Sequence, residues 1–381
     1  MKKARYGYVK LAAVSMAVLA SSAFAAGCLQ NSPREPRPAV EPAVAPIAEQ
    51  APVPAESTPP PEKTIQDWVK TYGELPLADA HNHGSVLGIT HNLALWKTAG
   101  ADRVVLFGEV SKPISVVHDE YTWTSYLDHP DLIVPFFSGI NLKDPHDLQT
   151  ARERLEKGYF GIGEIAAASS YSPAVSDAEW KADHPMDGIL PELYALCAEY
   201  EAPLLLHIDP PMGFPIDELE RALETYPDTR FIFAHANAYN SPENVERLLE
   251  AHPNLYADLF AGFTAFNPDS ANKLEDFADV IRRFPDRFMV STDSGYDLAE
   301  GEEQAIEAMY KLLDLLKDDP ELVRKAAYDN LDALIRDQPA TRTQKKRISE
   351  WDRKTGNRHD TASMTKLEAG RILAEADDSI E

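Results

Sequence analysis

Two histidines, His81 and His83, stand two residues apart at the end of a short segment that begins at Leu77. In a β-strand, residues i and i+2 point to the same face of the sheet, roughly 7 Å apart along the strand. Two imidazoles placed in this way can approach one metal ion, while Asn82 between them faces the opposite side. The pair alone is equally consistent with a turn that happens to contain two histidines.

Polar residues follow four later apolar segments in the same manner. Each segment has the composition of a strand buried on both faces, and each ends in a residue of a type that binds metal ions. These residues are Glu164, His207, His235 and Asp293. A lone histidine at a strand end is usually a hydrogen-bonding residue. Four histidines and two carboxylates at the ends of five strands instead predict a metal site.

Alternating strand-like and helix-like segments over residues 64–338 predict how these side chains are brought together. The strand candidates are Leu75–His83, Arg103–Glu109, Leu132–Ile140, Phe160–Ile165, Pro203–Ile208, Arg230–Ala236, Leu255–Phe260 and Phe288–Asp293. The helix candidates include Asp147–Lys157, Ile189–Tyr200, Ile216–Tyr226, Pro242–Ala251, Ala271–Phe284 and Glu302–Leu316. Eight β/α units in about 275 residues are typical of a (β/α)₈ TIM barrel, whose functional residues lie at the C-terminal ends of the strands. An open doubly wound sheet is the alternative, but no Gly-x-Gly-x-x-Gly motif follows the first strand.

The first 28 residues have the pattern of an export signal peptide. A basic segment precedes an apolar run from Leu11 to Ala20, and small residues follow up to Cys28. The sequence before Cys28 resembles a bacterial lipoprotein signal and predicts its lipidation, with cleavage after Ala25 as the alternative. We therefore expect an exported protein, either periplasmic or anchored to a membrane through a lipid on Cys28. Residues 29–63 are rich in proline and alanine, which predicts an extended linker.

Two further segments differ from an ordinary barrel. Residues 167–187 form a long connection after the fourth strand, and its aromatic residues favour a lid over the site rather than disorder. Residues 339–381 are charged and are expected to form a solvated tail with a short helix over Leu367–Ala376. Folding of this tail onto the outside of the barrel, or contact with an anionic surface, is the alternative.

The formal net charge of −25 argues against a nucleic-acid partner. Binding to a phosphate backbone needs clustered lysine and arginine side chains, and these are scarce at the predicted strand ends. We therefore expect a small-molecule substrate, no nucleic acid, and membrane contact only through the predicted lipid anchor.

The strand-end residues resemble those of the amidohydrolase superfamily of metal-dependent barrel hydrolases, and within it the amidohydrolase 2 type. That family carries His-x-His after strand one, histidines after strands five and six, and an aspartate after strand eight. The matching residues are His81, His83, His207, His235 and Asp293. Glu164 stands where many members have a carboxylated lysine or a glutamate that bridges two metals. Its segment Gly-Ile-Gly-Glu-Ile is also similar to the TatD-type nucleases.

The resemblance implies that a metal-activated water cleaves an amide, a lactone or ester, or a related bond of a small molecule. One or two divalent ions are implied, most typically Zn²⁺, with Mn²⁺ or Fe²⁺ as alternatives. The two strand-one histidines and Asp293 would surround one position. His207 and His235 would serve a second position, with Glu164 between the two. Asp293 would be the general base, and with a single metal His235 would polarise the substrate oxygen.

Three other functions stay open at this point. Glu164 supports a TatD-like nuclease or phosphoesterase, but the acidic composition opposes it, and Lys112 is the nearest cation to a strand end. A metal-dependent decarboxylase would need a cation to hold the retained carboxylate, and no arginine follows a strand. A binding protein without catalysis would not need the complete set of ligand-type residues.

Several other residues are candidates for supporting roles. Asp209 and Ser294 follow ligand-type residues and are expected to form hydrogen bonds to them, while Asp79 could orient a ligand or be a polar core residue. The remaining candidates are Glu109 and Asp258 for substrate contact or helix capping, His184 on the expected lid, and Cys197 as a buried, unreactive thiol.

Overall fold

The structure, a computed structural model, describes residues 63–210, 212–262, 272–295 and 299–378. The expected signal peptide, its Cys28 and almost all of the proline-rich linker lie outside these residues, so those interpretations stay predictions. Among the helices that the structure describes, none combines the length and the apolar character needed to cross a membrane.

Eight parallel strands form one sheet in which each strand pairs with the next along the chain. The strands are β1 Leu77–His83, β2 Ala101–Phe107, β3 Ile133–Phe137, β4 Gly161–Ala168, β5 Leu204–Ile208, β6 Phe231–Phe233, β7 Leu255–Phe260 and β8 Phe288–Ser291. Backbone bonds also join β1 to the residues after β8. The amide of Asp293 donates to the carbonyl of His81 at 2.9 Å, and that of His83 to Ser294 at 2.7 Å. The expected (β/α)₈ TIM barrel is therefore confirmed.

Helices alternate with the strands on the outside of this barrel. Their ranges are α1 Ile65–Tyr72, α2 Val86–Thr98, α3 Ser115–Asp128, α4 Asp147–Lys157, α5 Leu190–Glu199, α6 Phe214–Thr225, α7 Ala236–Tyr239, α8 Pro242–Ala251, α9 Ala278–Arg283, α10 Ala299–Leu315, α11 Pro320–Arg324, α12 Asn330–Ile335, α13 Arg342–Thr355 and α14 Lys366–Asp378. A 3₁₀ turn at Leu274–Phe277 precedes α9, and a π-helical segment at Lys325–Asp329 joins α11 to α12. Strands β1, β3 to β6 and β8 are buried along their whole length, because helices cover their outer faces and side chains fill the barrel interior.

The C-terminal segment is folded onto the barrel, and the expected solvated tail does not describe residues 342–378. Helices α13 and α14 pack together through a small apolar cluster that contains Ile348, Met364 and Leu373. The buried ammonium group of Lys366 donates to the carbonyl of Tyr159 at 3.0 Å and to the side chain of Gln338 at 2.7 Å. Composition alone is misleading here, because a few well-spaced apolar residues suffice to attach a highly charged segment.

The burial of Lys366 predicts a pH dependence of stability. Desolvation lowers the pKa of this lysine from 10.5 to about 7. The unfolded chain keeps the proton, so the folded state binds fewer protons between pH 7 and 9 and stability rises with pH. Over this interval we expect wild type to gain about 2 kcal/mol more unfolding free energy than Lys366→Met. Urea denaturation at both pH values measures this, with the exposed Lys346→Met as control. An equal gain in Lys366→Met would contradict it.

Candidate metal centre

The six residues expected to bind metal lie together at the C-terminal end of the barrel. Their ligand atoms form two groups that share Glu164. Oxygen Oε1 of Glu164 lies 3.0 Å from Nδ1 of His207 and 2.8 Å from Nε2 of His235. Its Oε2 lies 3.5 Å from Nε2 of His81 and 3.6 Å from Nε2 of His83. Glu164 therefore presents one carboxylate oxygen to each group, as a bridging ligand would.

The first group is completed by Asp293, which is the most exposed of the six side chains. Its Oδ1 lies 3.1 Å from Nε2 of His81 and 3.3 Å from Nε2 of His83, and these two nitrogens are 3.2 Å apart. In the second group, Nδ1 of His207 and Nε2 of His235 are 3.0 Å apart. Nitrogens this close repel one another unless a proton or a cation lies between them.

For three of the four histidines, the partner of the outward-facing ring nitrogen explains which nitrogen faces the group. Nδ1 of His81 lies 3.1 Å from Asp258, Nδ1 of His83 lies 3.0 Å from the carbonyl of Gly108, and Nε2 of His207 lies 2.7 Å from Asp209. Each of these acceptors holds a ring N–H, which leaves the other nitrogen with a lone pair directed into the cluster. This arrangement of imidazole nitrogens and carboxylate oxygens fits a divalent metal ion.

The charges within the cluster are strongly coupled. Burial disfavours charge on His81, but the carboxylates of Asp293, Asp258 and Glu164 outweigh it and raise its pKa well above the usual value. Burial likewise opposes protonation of His207, whose pKa is nevertheless raised to about 9 by Asp209 and Glu164. Conversely, the histidines lower the pKa of the Glu164 and Asp293 carboxyl groups against the effect of burial. Without metal, protons on the histidines balance the carboxylates, and a divalent cation can replace them.

Two of the cluster residues lie in turns rather than in strands. His235 and Asp293 have φ values of 36° and 44°, in the left-handed region that non-glycine residues rarely adopt. The amide of His235 donates to Asp258 at 2.7 Å instead of continuing the sheet. Gly295 follows closely, with a φ of 109° and a position where a Cβ would lie 1.9 Å from the carbonyl of His83. The sixth and eighth strands are therefore shorter than the sequence predicts, because the backbone turns at His235 and at Asp293.

Asp209 connects the cluster to the long connection after β4. Besides His207, it accepts the amides of Ser170 at 2.6 Å and Tyr171 at 2.5 Å, and the hydroxyl of Ser169 at 2.8 Å. These contacts and that of His207 lower the pKa of Asp209, although burial acts in the opposite direction. The connection is thus attached to the site at its first residues. Its later part is tied by the amide of Trp180, which donates to the carbonyl of Ser111 at 3.1 Å.

We expect Asp209→Asn to weaken metal binding about 10- to 100-fold, the usual effect of changing a hydrogen-bonding partner of a metal-binding histidine. The asparagine side chain can still accept the N–H of His207, but it lacks the negative charge that stabilises this N–H. Competition with a metal-sensitive chelating dye measures the affinity, and the exposed Asp217→Asn on α6 is the control. Unchanged affinity in Asp209→Asn would show that Asp209 only anchors the loop.

A cavity of about 160 Å³ opens onto the cluster. Its walls include Glu164, His207, His235 and Asp293 together with Ser172, Ala174, Val175, Ala238, Tyr239 and Phe260. The first three of the added residues belong to the connection after β4, which therefore forms one wall of the site. The sequence offers no signal for Tyr239 or Phe260 beyond their proximity to His235 and to the end of β7.

The supporting candidates have different positions. Asp258 contacts His81 and does not belong to the residues that line the cavity. Asp79 accepts the amide and hydroxyl of Thr292 at 3.0 and 2.6 Å, so it holds β8 against β1. The hydroxyl of Ser294 donates to Glu302 at 2.6 Å, on α10, instead of to a cluster residue.

Three further candidates lie apart from the cavity wall. Glu109 pairs with Lys112 at 3.0 Å. His184 packs against Phe214, with ring centres 5.0 Å apart, so the long connection does not bring it into the cavity. Cys197 is a buried free thiol whose pKa is raised by desolvation, as expected of an unreactive cysteine.

Comparison with known proteins gives one clear similarity. The family model described as "Amidohydrolase" matches residues 95–334. No curated protein matches the chain.

Several solved structures are similar at low identity. An uncharacterised TIM-barrel protein from Bordetella bronchiseptica is 17% identical, with a TM-score of 0.49, over 68% of this chain and 98% of its own. A 2,6-dihydroxybenzoate decarboxylase from Rhizobium is 11% identical, with a TM-score of 0.46, over 68% of this chain and 98% of its own. A putative amidohydrolase from Staphylococcus aureus is 13% identical, with a TM-score of 0.46, over 68% of this chain and 99% of its own. None of these similarities is close enough to indicate a reaction. The family model, in contrast, spans well over half of the sequence and contains the residues at the ends of β4, β5, β6 and β8, so this chain belongs to the amidohydrolase family.

Proposed function

We propose that this protein is a metal-dependent hydrolase that cleaves an amide, a lactone or an ester of a small molecule. The observation that carries the proposal is the position of Glu164, with one carboxylate oxygen toward each group of histidines. Two divalent ions bridged by this carboxylate would fit the two groups. Zn²⁺ is the ion we propose, because imidazole and carboxylate ligands suit it well, with Mn²⁺ or Fe²⁺ as alternatives.

Bound metal would supply a water molecule of lowered pKa and a positive charge beside the scissile carbonyl oxygen. His81, His83 and Asp293 would hold the first ion, and His207 and His235 the second. Asp293 has a lowered pKa and is the most exposed carboxylate of the cluster. It is therefore ionised at neutral pH and is positioned to accept the proton of the attacking water and return it to the leaving group.

Decarboxylation is the second reaction to consider within this family. It requires a group that holds the substrate's retained carboxylate, and no lysine or arginine lines the cavity among the residues described. The same feature disfavours a phosphoesterase. We therefore place hydrolysis first. The predicted export signal and the lipid at Cys28 would place this activity in the bacterial periplasm or at a membrane surface.

Removal of metal is expected to abolish hydrolysis reversibly. The purified protein is treated with a chelator, desalted and assayed with aryl esters, lactones and anilides before and after addition of Zn²⁺ or Mn²⁺. We expect activity to fall by at least about a hundredfold and to return with one of the two ions. Hydrolysis that survives complete removal of metal would contradict the proposal.

A further inference from the structure

The cavity that opens onto the metal centre has an uncharged outer wall. Beyond the cluster residues, the wall consists of Ser172, Ala174, Val175, Ala238, Tyr239 and Phe260. Small apolar groups, two aromatic rings and two hydroxyls thus surround the part of a substrate that does not contact the metals. No lysine or arginine belongs to this wall within the described part of the chain.

Four lysines, Lys112, Lys143, Lys181 and Lys273, lie on loops at the same end of the barrel, and none of them lines the cavity. Lys112 forms an ion pair with Glu109 at 3.0 Å. Lys181 donates to the carbonyl oxygens of Ser169 at 2.8 Å and Ser176 at 2.5 Å, which closes the connection after β4 on itself. The barrel segments outside the described residues, 263–271 and 296–298, contain no lysine or arginine in the sequence.

The cluster itself has no surplus positive charge to offer. Four carboxylates lie in or against it, namely Glu164, Asp293, Asp209 and Asp258. Their four negative charges would be balanced, and not exceeded, by two divalent cations. A carboxylate or phosphate substituent placed against Val175 and Phe260 would lose hydration and would find no cation to pair with, which is unfavourable.

We propose that the substrate is an ester, lactone or amide whose portion inside this cavity is uncharged, and that the site discriminates against anionic analogues. This inference rests on the proposed hydrolase function. Specificity would come from the wall that the connection after β4 supplies, because that wall determines which substituent lies next to the scissile bond. Acidic substrates would be rejected by an unpaired charge rather than by size.

A matched pair of esters tests the inference on the metal-loaded full-length protein. 4-(Methylsulfonyl)phenyl acetate and 4-acetoxybenzenesulfonate have similar shapes, but only the second carries a negative charge. We expect kcat/KM to be at least tenfold higher for the neutral ester. Equal values, or a preference for the sulfonate, would overturn the inference while leaving the hydrolase function supported.

A designed cation provides a second readout. Ala174 lines the cavity and its side chain is exposed, so Ala174→Lys adds a positive charge without filling the core. This variant is expected to reduce the neutral-to-anionic ratio at least fivefold, whereas Ala94→Lys, on an exposed face of α2, leaves the ratio unchanged. An unchanged ratio in Ala174→Lys would overturn the inference, because the missing cation would then not be what excludes anions.

Binding separates this inference from the hydrolase proposal. If neither ester is hydrolysed, the hydrolase proposal loses support, and calorimetry with the two corresponding phenols decides the charge question by itself. At least tenfold tighter binding of 4-(methylsulfonyl)phenol than of 4-hydroxybenzenesulfonate supports an uncharged cavity. Equal affinities, tighter binding of the sulfonate, or no binding of either phenol overturns it.

Discussion

Replacing Glu164 by alanine is expected to reduce the bound metal from two ions per chain to one. The carboxylate presents Oε1 to the His207 group and Oε2 to the His81 group, so its removal takes a ligand from both positions. The second group then retains only His207 and His235, which is too few for tight binding. We expect kcat/KM to fall more than about a hundredfold, since even the loss of an outer hydrogen-bonding partner costs 10- to 100-fold.

Metal analysis of the dialysed protein by plasma mass spectrometry, together with ester hydrolysis, checks this expectation. Glu109→Ala is the matched control, because Glu109 also follows a barrel strand, β2, and pairs with Lys112 outside the cavity. One ion per chain in both wild type and Glu164→Ala would make Glu164 a supporting residue of a mononuclear site. Two ions in both would show that the bridge is dispensable.

Replacing Asp293 by asparagine is expected to lower kcat about 10²- to 10⁴-fold, the range usual for loss of a general base. Asparagine keeps the shape and one oxygen ligand but cannot accept a proton. Because the pKa of Asp293 is lowered, wild-type activity should not decline through protonation of this group between pH 8 and 5. The remaining activity of Asp293→Asn should instead rise with hydroxide concentration. Initial rates from pH 5 to 10 for both proteins test this.

Asp258→Asn separates proton transfer from ligand orientation. Asp258 faces Nδ1 of His81 and the amide of His235, and it does not line the cavity. We expect this variant to lose metal affinity, while kcat at saturating metal falls much less than in Asp293→Asn. Similar losses of kcat in the two variants, with metal retained in both, would argue against Asp293 as the base.

The sequence predicts that the ligand-type residues lie close together, because each of them follows a strand and the strand ends meet at one end of a barrel. The spacing of His81 and His83 fixes their common face as soon as the segment is a strand. The helix predicted over Pro242–Ala251 and the strand over Leu255–Phe260 match the structure at both ends, since proline, Ser241 and the apolar spacing mark their limits.

The partners of these residues could not be predicted, because they depend on contacts between distant segments. Asp258 lies within an apolar strand, and only the pairing of β7 with its neighbours shows that it contacts His81 and His235. The turns at His235 and Asp293 have the same origin, since amide donation to Asp258 and to the β1 carbonyl replaces the strand ladder. The sequence does not show that Lys366 is buried, because its two acceptors, Tyr159 and Gln338, are distant from it along the chain.

Anomalous X-ray diffraction at the zinc absorption edge, on crystals of the metal-loaded protein, would test the two-metal centre most directly. We expect two peaks on opposite sides of the Glu164 carboxylate, one beside Asp293 and the strand-one histidines and one between His207 and His235. A single peak on one side of Glu164 would contradict the bridged centre. The absence of any peak among these residues would contradict the metal site and, with it, the proposed hydrolysis.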